Sequence, residues 1–150
     1  MATGGEDPYD LQRFVDAQRA VYDQVRAELA AGQKRSHWMW FIFPQIEGLG
    51  SSMMSRRYAI HSRDEAAAYL VHPLLGARLR ECTRLVAGIV GRSIHEIFGS
   101  PDDMKFQSSM TLFAQAASGD QDFREALQKY FAGEFDPATL VRLQSAETQN

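Results

Sequence analysis

Residues 34–57 read KRSHWMWFIFPQIEGLGSSMMSRR, and the six consecutive apolar residues Trp38–Phe43 constrain the fold more than any other feature. A membrane-spanning helix takes about 20 apolar residues, so this run is far too short to cross a bilayer. Its aromatic content suits a buried strand. Nothing else in the sequence alternates like a partner strand, however, and a lone strand has nothing to pair with. The run therefore predicts a short, deeply buried helix ending before Pro44, because the residue preceding a proline disfavours helical angles. Its flanks are Lys34-Arg35-Ser36-His37 on one side and Gly48, Gly50, Ser51 and Ser52 on the other. A core requires the aromatics but not those polar groups, so the stretch reads as a core element joined to a site.

The rest of the chain supplies helices to bury it. From Asp10 to Ala31, residues Leu11, Phe14, Val15, Gln18, Val21, Tyr22, Val25 and Leu29 fall on one helical stripe, with Gly32 as the stop. Ser62 with Glu65 and Ser93 with Glu96 have the spacing of capping boxes. Pro73, Pro101 and Pro137 suit first helical positions, where a missing N–H costs nothing. Gly99, Gly119 and Gly133 fall where helices should end. The expected fold is all-α: a compact single-domain bundle of about six to eight helices with short connections. Residues 9–143 form that domain, between flexible ends at 1–8 and 144–150.

Composition narrows the function classes. The 150 residues fit one domain able to bury a core without disulfides or metal, and the 45% hydrophobic content is that of a folded protein. A formal net charge of −3 gives no global attraction to nucleic acid or to an anionic membrane, so neither is an expected partner. The polar, acidic start MATGGEDPYD is unlike a secretory signal, and a cytoplasmic protein is expected. Cys82, the one cysteine, lies between apolar positions of a helical pattern and reads as a buried, inert thiol. His37, His61, His72 and His95 never fall three or four apart on one helix face, so no metal site and no cofactor are expected.

Three segments combine aromatics with polar groups that the core does not need. In KRSHW, His37 is a candidate proton shuttle with two cations just before it. In the glycine loop, Ser51 or Ser52 caps a following helix that carries Arg56 and Arg57 one turn in. That loop matches neither a phosphate-cradling nor a dinucleotide fingerprint, and Glu47 is its one acid. In SPDDMKFQSSMTLF, Phe106, Met110 and Phe113 form one apolar line, and Met104, Thr111 and Leu112 a second. On that central helix Lys105 shares a face with Ser108 and Ser109, and it needs an acidic neighbour such as Asp102, a ligand, or a route to solvent. No Gly-x-Ser-x-Gly elbow, Ser-x-x-Lys or carboxylate pair is present.

The motifs SHWMWFIFPQIEGLGSSMMSRRYAI, HPLLGARLRECT and DDMKFQSSMTLF resemble the bacterial domain of unknown function 1810 family, some of whose members are called calpastatin. The resemblance runs from about Tyr9 to Leu143 and implies a compact, all-helical, cytosolic protein. It implies no established activity and carries over no catalytic residue. The positions matching its signature are Ser36, His37, Trp38, Trp40, Phe43, Pro44, Gln45, Gly48, Gly50, Ser52, Tyr58, His72, Pro73, Lys105, Ser108, Ser109 and Phe113. Calpastatin inhibitory segments are disordered until bound, whereas this chain is patterned to bury its own core.

The leading expectation is a cleft for a small anionic metabolite, nucleotide-derived molecules included, formed by the His37, Ser52 and Lys105 segments. Trp38 or Trp40 would wall it, and Gln45, Ser52, Tyr58, Lys105 and Ser108 would supply polar contacts. One alternative is a metal-free hydrolase or lyase with His37 as acid/base and Lys105 or an arginine stabilising developing charge. Another is an interaction module using Met53 and Met54, although these read better as filling the core under the glycine loop. The oligomeric state has no signature in the sequence.

Overall fold

A computed structural model describes residues 6–117 and 119–148. The described residues form ten helices: α1 Gln12–Arg19, α2 Tyr22–Ala30, α3 Met39–Ile42, α4 Met53–Arg57, α5 Arg63–Val71, α6 Leu75–Ala87, α7 Ile94–Phe98, α8 Asp102–Ala116, α9 Gln121–Phe131 and α10 Pro137–Thr148. The all-α expectation holds, but the helix number exceeds six to eight. Three elements are single short turns, α3 with 4 residues and α4 and α7 with 5 each. The first stripe is also two helices rather than one. It breaks at Ala20–Val21 because its halves pack on different partners, α1 on α3 and α2 on α6. No helix among the described residues is long and apolar enough to cross a membrane.

The end signals are mostly local, and most act as expected. Ser93 and Glu96 close a complete capping box. Ser62 receives the Glu65 N–H, but the Glu65 carboxylate turns away to accept the His61 N–H at 3.0 Å, so only half of that box forms. Pro137 opens α10 as expected, whereas Pro101 is the cap residue of α8 and Pro73 lies two residues ahead of α6. There His72 Nδ1 accepts the N–H groups of Leu74 and Leu75, both at 3.2 Å. Helix α10 continues to Thr148, into the stretch 144–150 expected to be a tail, and Asp7 accepts two N–H groups ahead of α1. Residues 1–5 and 149–150 of the expected flexible ends lie outside the described residues.

Helix α8 runs through the middle, packed against α5, α7, α9 and α10, and is buried along its whole length from Phe106 to Ala114. The short α3 is held at its side as the sequence run demanded. Trp38, Phe43, Phe98 and Phe106 form one aromatic cluster with ring centroids 5.0–6.4 Å apart. Edge-to-face pairs such as Phe43–Phe106 place the positive edge of one ring on the negative face of the other. Cys82 is buried on α6, and desolvation pushes its thiol up to about 12, so it carries no nucleophilic thiolate.

Candidate functional site

The chain before α3 is organised by one carboxylate. Glu28 on α2 accepts the N–H groups of Arg35 (2.7 Å) and Ser36 (3.0 Å), the Ser36 hydroxyl (2.5 Å), the Trp38 indole N–H (2.9 Å) and the Gln24 amide (2.9 Å). Burial alone would raise its pKa, but these donors outweigh desolvation and hold it at about 2. Lys34 is likewise committed. Its side chain is 8% exposed, and its ammonium is 2.9 Å from Asp102 and lies over the Trp38 ring. The Lys34 ammonium and the Ser36 hydroxyl are therefore consumed in fastening the loop to α8 and α2, while the exposed Arg35 guanidinium reaches the Gln33 amide oxygen at 3.3 Å.

That arrangement brings together only some of the residues expected to share a cleft. Trp38 is 1% exposed and walls nothing, since its face and its N–H are both occupied inside the core. His37 is exposed, and its side chain makes no hydrogen bond or ion pair among the described residues. Lys105 lies 3.8 Å from Asp102 and over the Trp40 ring at 5.8 Å. Ser108 donates to Asp136 across to α10, and Ser109 is fully buried without a partner among the described residues. Trp40, Gln45 and Tyr58 do converge, with Gly48, Gly50 and Ser55, but on a cavity of only about 20 Å³. Ser52 caps α4 and reaches the Ser55 hydroxyl at that rim. Of the expected core fillers, Met54 packs inward, while Met53 is 86% exposed. None of the five principal cavities is lined by His37, Ser52 or Lys105.

The largest of these five cavities, about 670 Å³, lies elsewhere. It is lined by Tyr9, Ile46, Glu47, His61, Ser62, Asp64, Arg142, Ser145 and Ala146. A single parallel β-bridge between Ile46 and Ile60 builds its floor, with Ile60 N–H bonded to Gln45 C=O and Glu47 N–H to Ile60 C=O, both at 2.9 Å. Alternate residues of extended chain point to opposite faces. Ile46 and Ile60 turn into the core, so Glu47 and His61, one residue past each, turn out side by side. The His61 Nδ1 lies 2.5 Å from Glu47 Oε2. The His61 main chain is also pinned, because Glu65 receives its N–H and is in turn paired with Arg13 at 3.0 Å.

Arg142 on α10 closes the other side. Gly48 has φ +96°, and a Cβ added there would fall 2.6 Å from the Arg142 Cζ, so glycine is required both for the turn and to let the guanidinium lie on the backbone. Neither Arg142 nor Asp64 pairs with an opposite charge among the described residues. The groove therefore presents an unpaired guanidinium, an unpaired carboxylate and an imidazole with one nitrogen fixed. Glu47, His61 and Arg142 were not among the expected site residues. Their association depends on a bridge of one residue pair, too short to leave a periodic pattern, and the one available sign was an acid inside the glycine loop.

Residues 8–143 match the family described as protein of unknown function (DUF1810). The chain is also similar to the crystal structure of the conserved hypothetical protein Rv1873 from Mycobacterium tuberculosis. The two share 59% sequence identity and a TM-score of 0.91 over 92% of this chain and 99% of the other. No curated protein matches.

Proposed function

We propose that this chain, which belongs to the family of unknown function DUF1810, binds a small anionic metabolite in the groove between the Ile46–Ile60 bridge and α10. The observation that carries the reading is a guanidinium unpaired among the described residues, in a concavity of about 670 Å³, within the usual range for a metabolite pocket. Arg142 offers a planar fork suited to phosphate or carboxylate. Asp64 and Ser62 line the same walls and suit ligand hydroxyls, the combination found in sugar phosphates and other nucleotide-derived molecules. The groove differs from the cleft expected between the His37, Ser52 and Lys105 segments, since those three residues line none of the five cavities.

Trp40 and Lys105 support a second reading, in which the ligand stacks at their corner once the glycine loop opens. Thermal-shift titration with inorganic phosphate, ribose 5-phosphate and adenosine monophosphate separates the two. A ligand at a hundred times its Kd stabilises by about 2.7 kcal/mol. Under the groove reading Arg142→Ala abolishes the upward shift and Lys105→Ala preserves it, and the reverse result moves the site to Trp40. If none of the three ligands shifts the midpoint at millimolar concentration, the anion-binding reading fails.

A further inference from the structure

We infer that His61, oriented by Glu47, is the general base in hydrolysis of a small phosphodiester held by Arg142. The inference rests on the anion-binding reading of the same groove. A carboxylate can only accept a hydrogen bond, so Glu47 Oε2, 2.5 Å from His61 Nδ1, fixes the neutral imidazole as the Nδ1–H tautomer. The lone pair then belongs to Nε2, on a ring that lines the groove. Two restraints set the ring's position, the Glu47 hydrogen bond on its side chain and the Glu65 hydrogen bond on its main chain. This is the pattern of a positioned base with an orienting third group. The other charged groups facing the groove are Asp64 and Arg142, with Glu65 beneath His61.

One guanidinium matches the single negative charge of a phosphodiester and can neutralise charge gained on its oxygens. Water attacks phosphorus as His61 Nε2 takes its proton, so a new P–O bond forms while the imidazole becomes imidazolium. The P–O bond to the leaving alcohol breaks on the opposite side of phosphorus, where the departing oxygen takes a proton from water, and the imidazolium returns its Nε2 proton to solvent. One diester and one water give one monoester and one alcohol, and the Nδ1 proton stays on the ring against Glu47. His61 is the catalytic residue in this scheme. Glu47 is a positioning residue.

Bis(p-nitrophenyl) phosphate is the probe for turnover, and inorganic phosphate titrated by calorimetry is the independent probe for binding. A general acid–base contributes about 10²–10⁴-fold, so His61→Ala should lose at least a hundredfold in kcat while still binding phosphate. Glu47→Gln should lose kcat about tenfold with KM unchanged. The ¹⁵N signals of its His61 should show both tautomers, and Glu47→Asp should restore part of the rate. Phosphate binding with wild-type hydrolysis no faster than His61→Ala overturns this inference and leaves the binding reading standing. His61-dependent hydrolysis when none of phosphate, ribose 5-phosphate and adenosine monophosphate binds overturns the binding reading instead. If both are absent, both are wrong.

Discussion

Two stretches of this chain set a histidine among basic and aromatic neighbours, residues 34–38 and residues 46–62, and they differ in where their hydrogen bonds go. In the first, Glu28 and Asp102 take up the backbone, hydroxyl, indole and ammonium donors. In the second, a one-pair bridge turns Glu47 and His61 outward, and Arg142 reaches the same groove without a counter-charge among the described residues. The residue types are alike, so type alone does not distinguish a fastener from a site. A polar side chain is available for chemistry only when the fold leaves part of its bonding capacity unspent.

The contrast predicts a graded series of effects on stability. The largest belongs to the core behind residues 34–38. Phe43→Ala empties the space between Trp38, Phe98 and Phe106 and should cost about 3–5 kcal/mol in urea-induced unfolding. A loss below about 1 kcal/mol would mean that the aromatic cluster is not the anchor described above.

Next comes the Glu28 clamp, which acid should release. The folded pKa is about 2 against an ordinary 4.5, so the carboxylate stabilises the fold fully above pH 4.5 and loses its contribution as pH falls towards 2. Integrated over that window the contribution is about 3 kcal/mol. Glu28→Gln should be destabilised at neutral pH and should flatten the acid limb of a stability–pH curve. An acid limb as steep as wild type would show that the clamp is not formed in solution.

A smaller effect of opposite sign is expected at Ser109, whose hydroxyl is buried without a partner among the described residues. Burying an unsatisfied hydroxyl costs about 1–3 kcal/mol, so Ser109→Ala should raise the melting midpoint, by the equivalent of about 1 kcal/mol. A fall in the midpoint would mean that the hydroxyl does have a bonding role. The smallest effect belongs to the groove. His61 and Arg142 support no core contact, and alanine at either should change stability by no more than about 0.5 kcal/mol. Should His61→Ala unfold the protein as readily as Glu28→Gln, the distinction between the two stretches disappears.

Much of the fold was legible in local sequence because its causes are local. The Trp38–Phe43 run, the Ser93–Glu96 capping box, the Pro137 start and the glycine stops each act within a few residues of where they are written. Helix number was less legible. No proline or glycine marks the break at Ala20–Val21, which follows from α1 and α2 facing different neighbours. Of the site, the sequence indicated the neighbourhood of the glycine loop and the acid within it. It also pointed to Trp38, Lys105 and Ser108, whose partners Glu28, Trp40 and Asp136 lie elsewhere in the chain, and to His37, whose side chain has no hydrogen bond or ion pair among the described residues.

What the sequence determined by itself, then, was helical class and the identity of the buried aromatic element. Periodicity and hydrophobicity act on every residue wherever its neighbours lie. Only the tertiary structure decided which polar groups are spent. Glu28 meets Trp38 across 10 residues, Glu47 meets His61 across 14, and Gly48 meets Arg142 from the far end of the chain. Each meeting depends on how packed helices bring distant segments together. A hydrogen bond forms only within about 3 Å, whereas the sequence pattern places a residue no more closely than on one face of its helix.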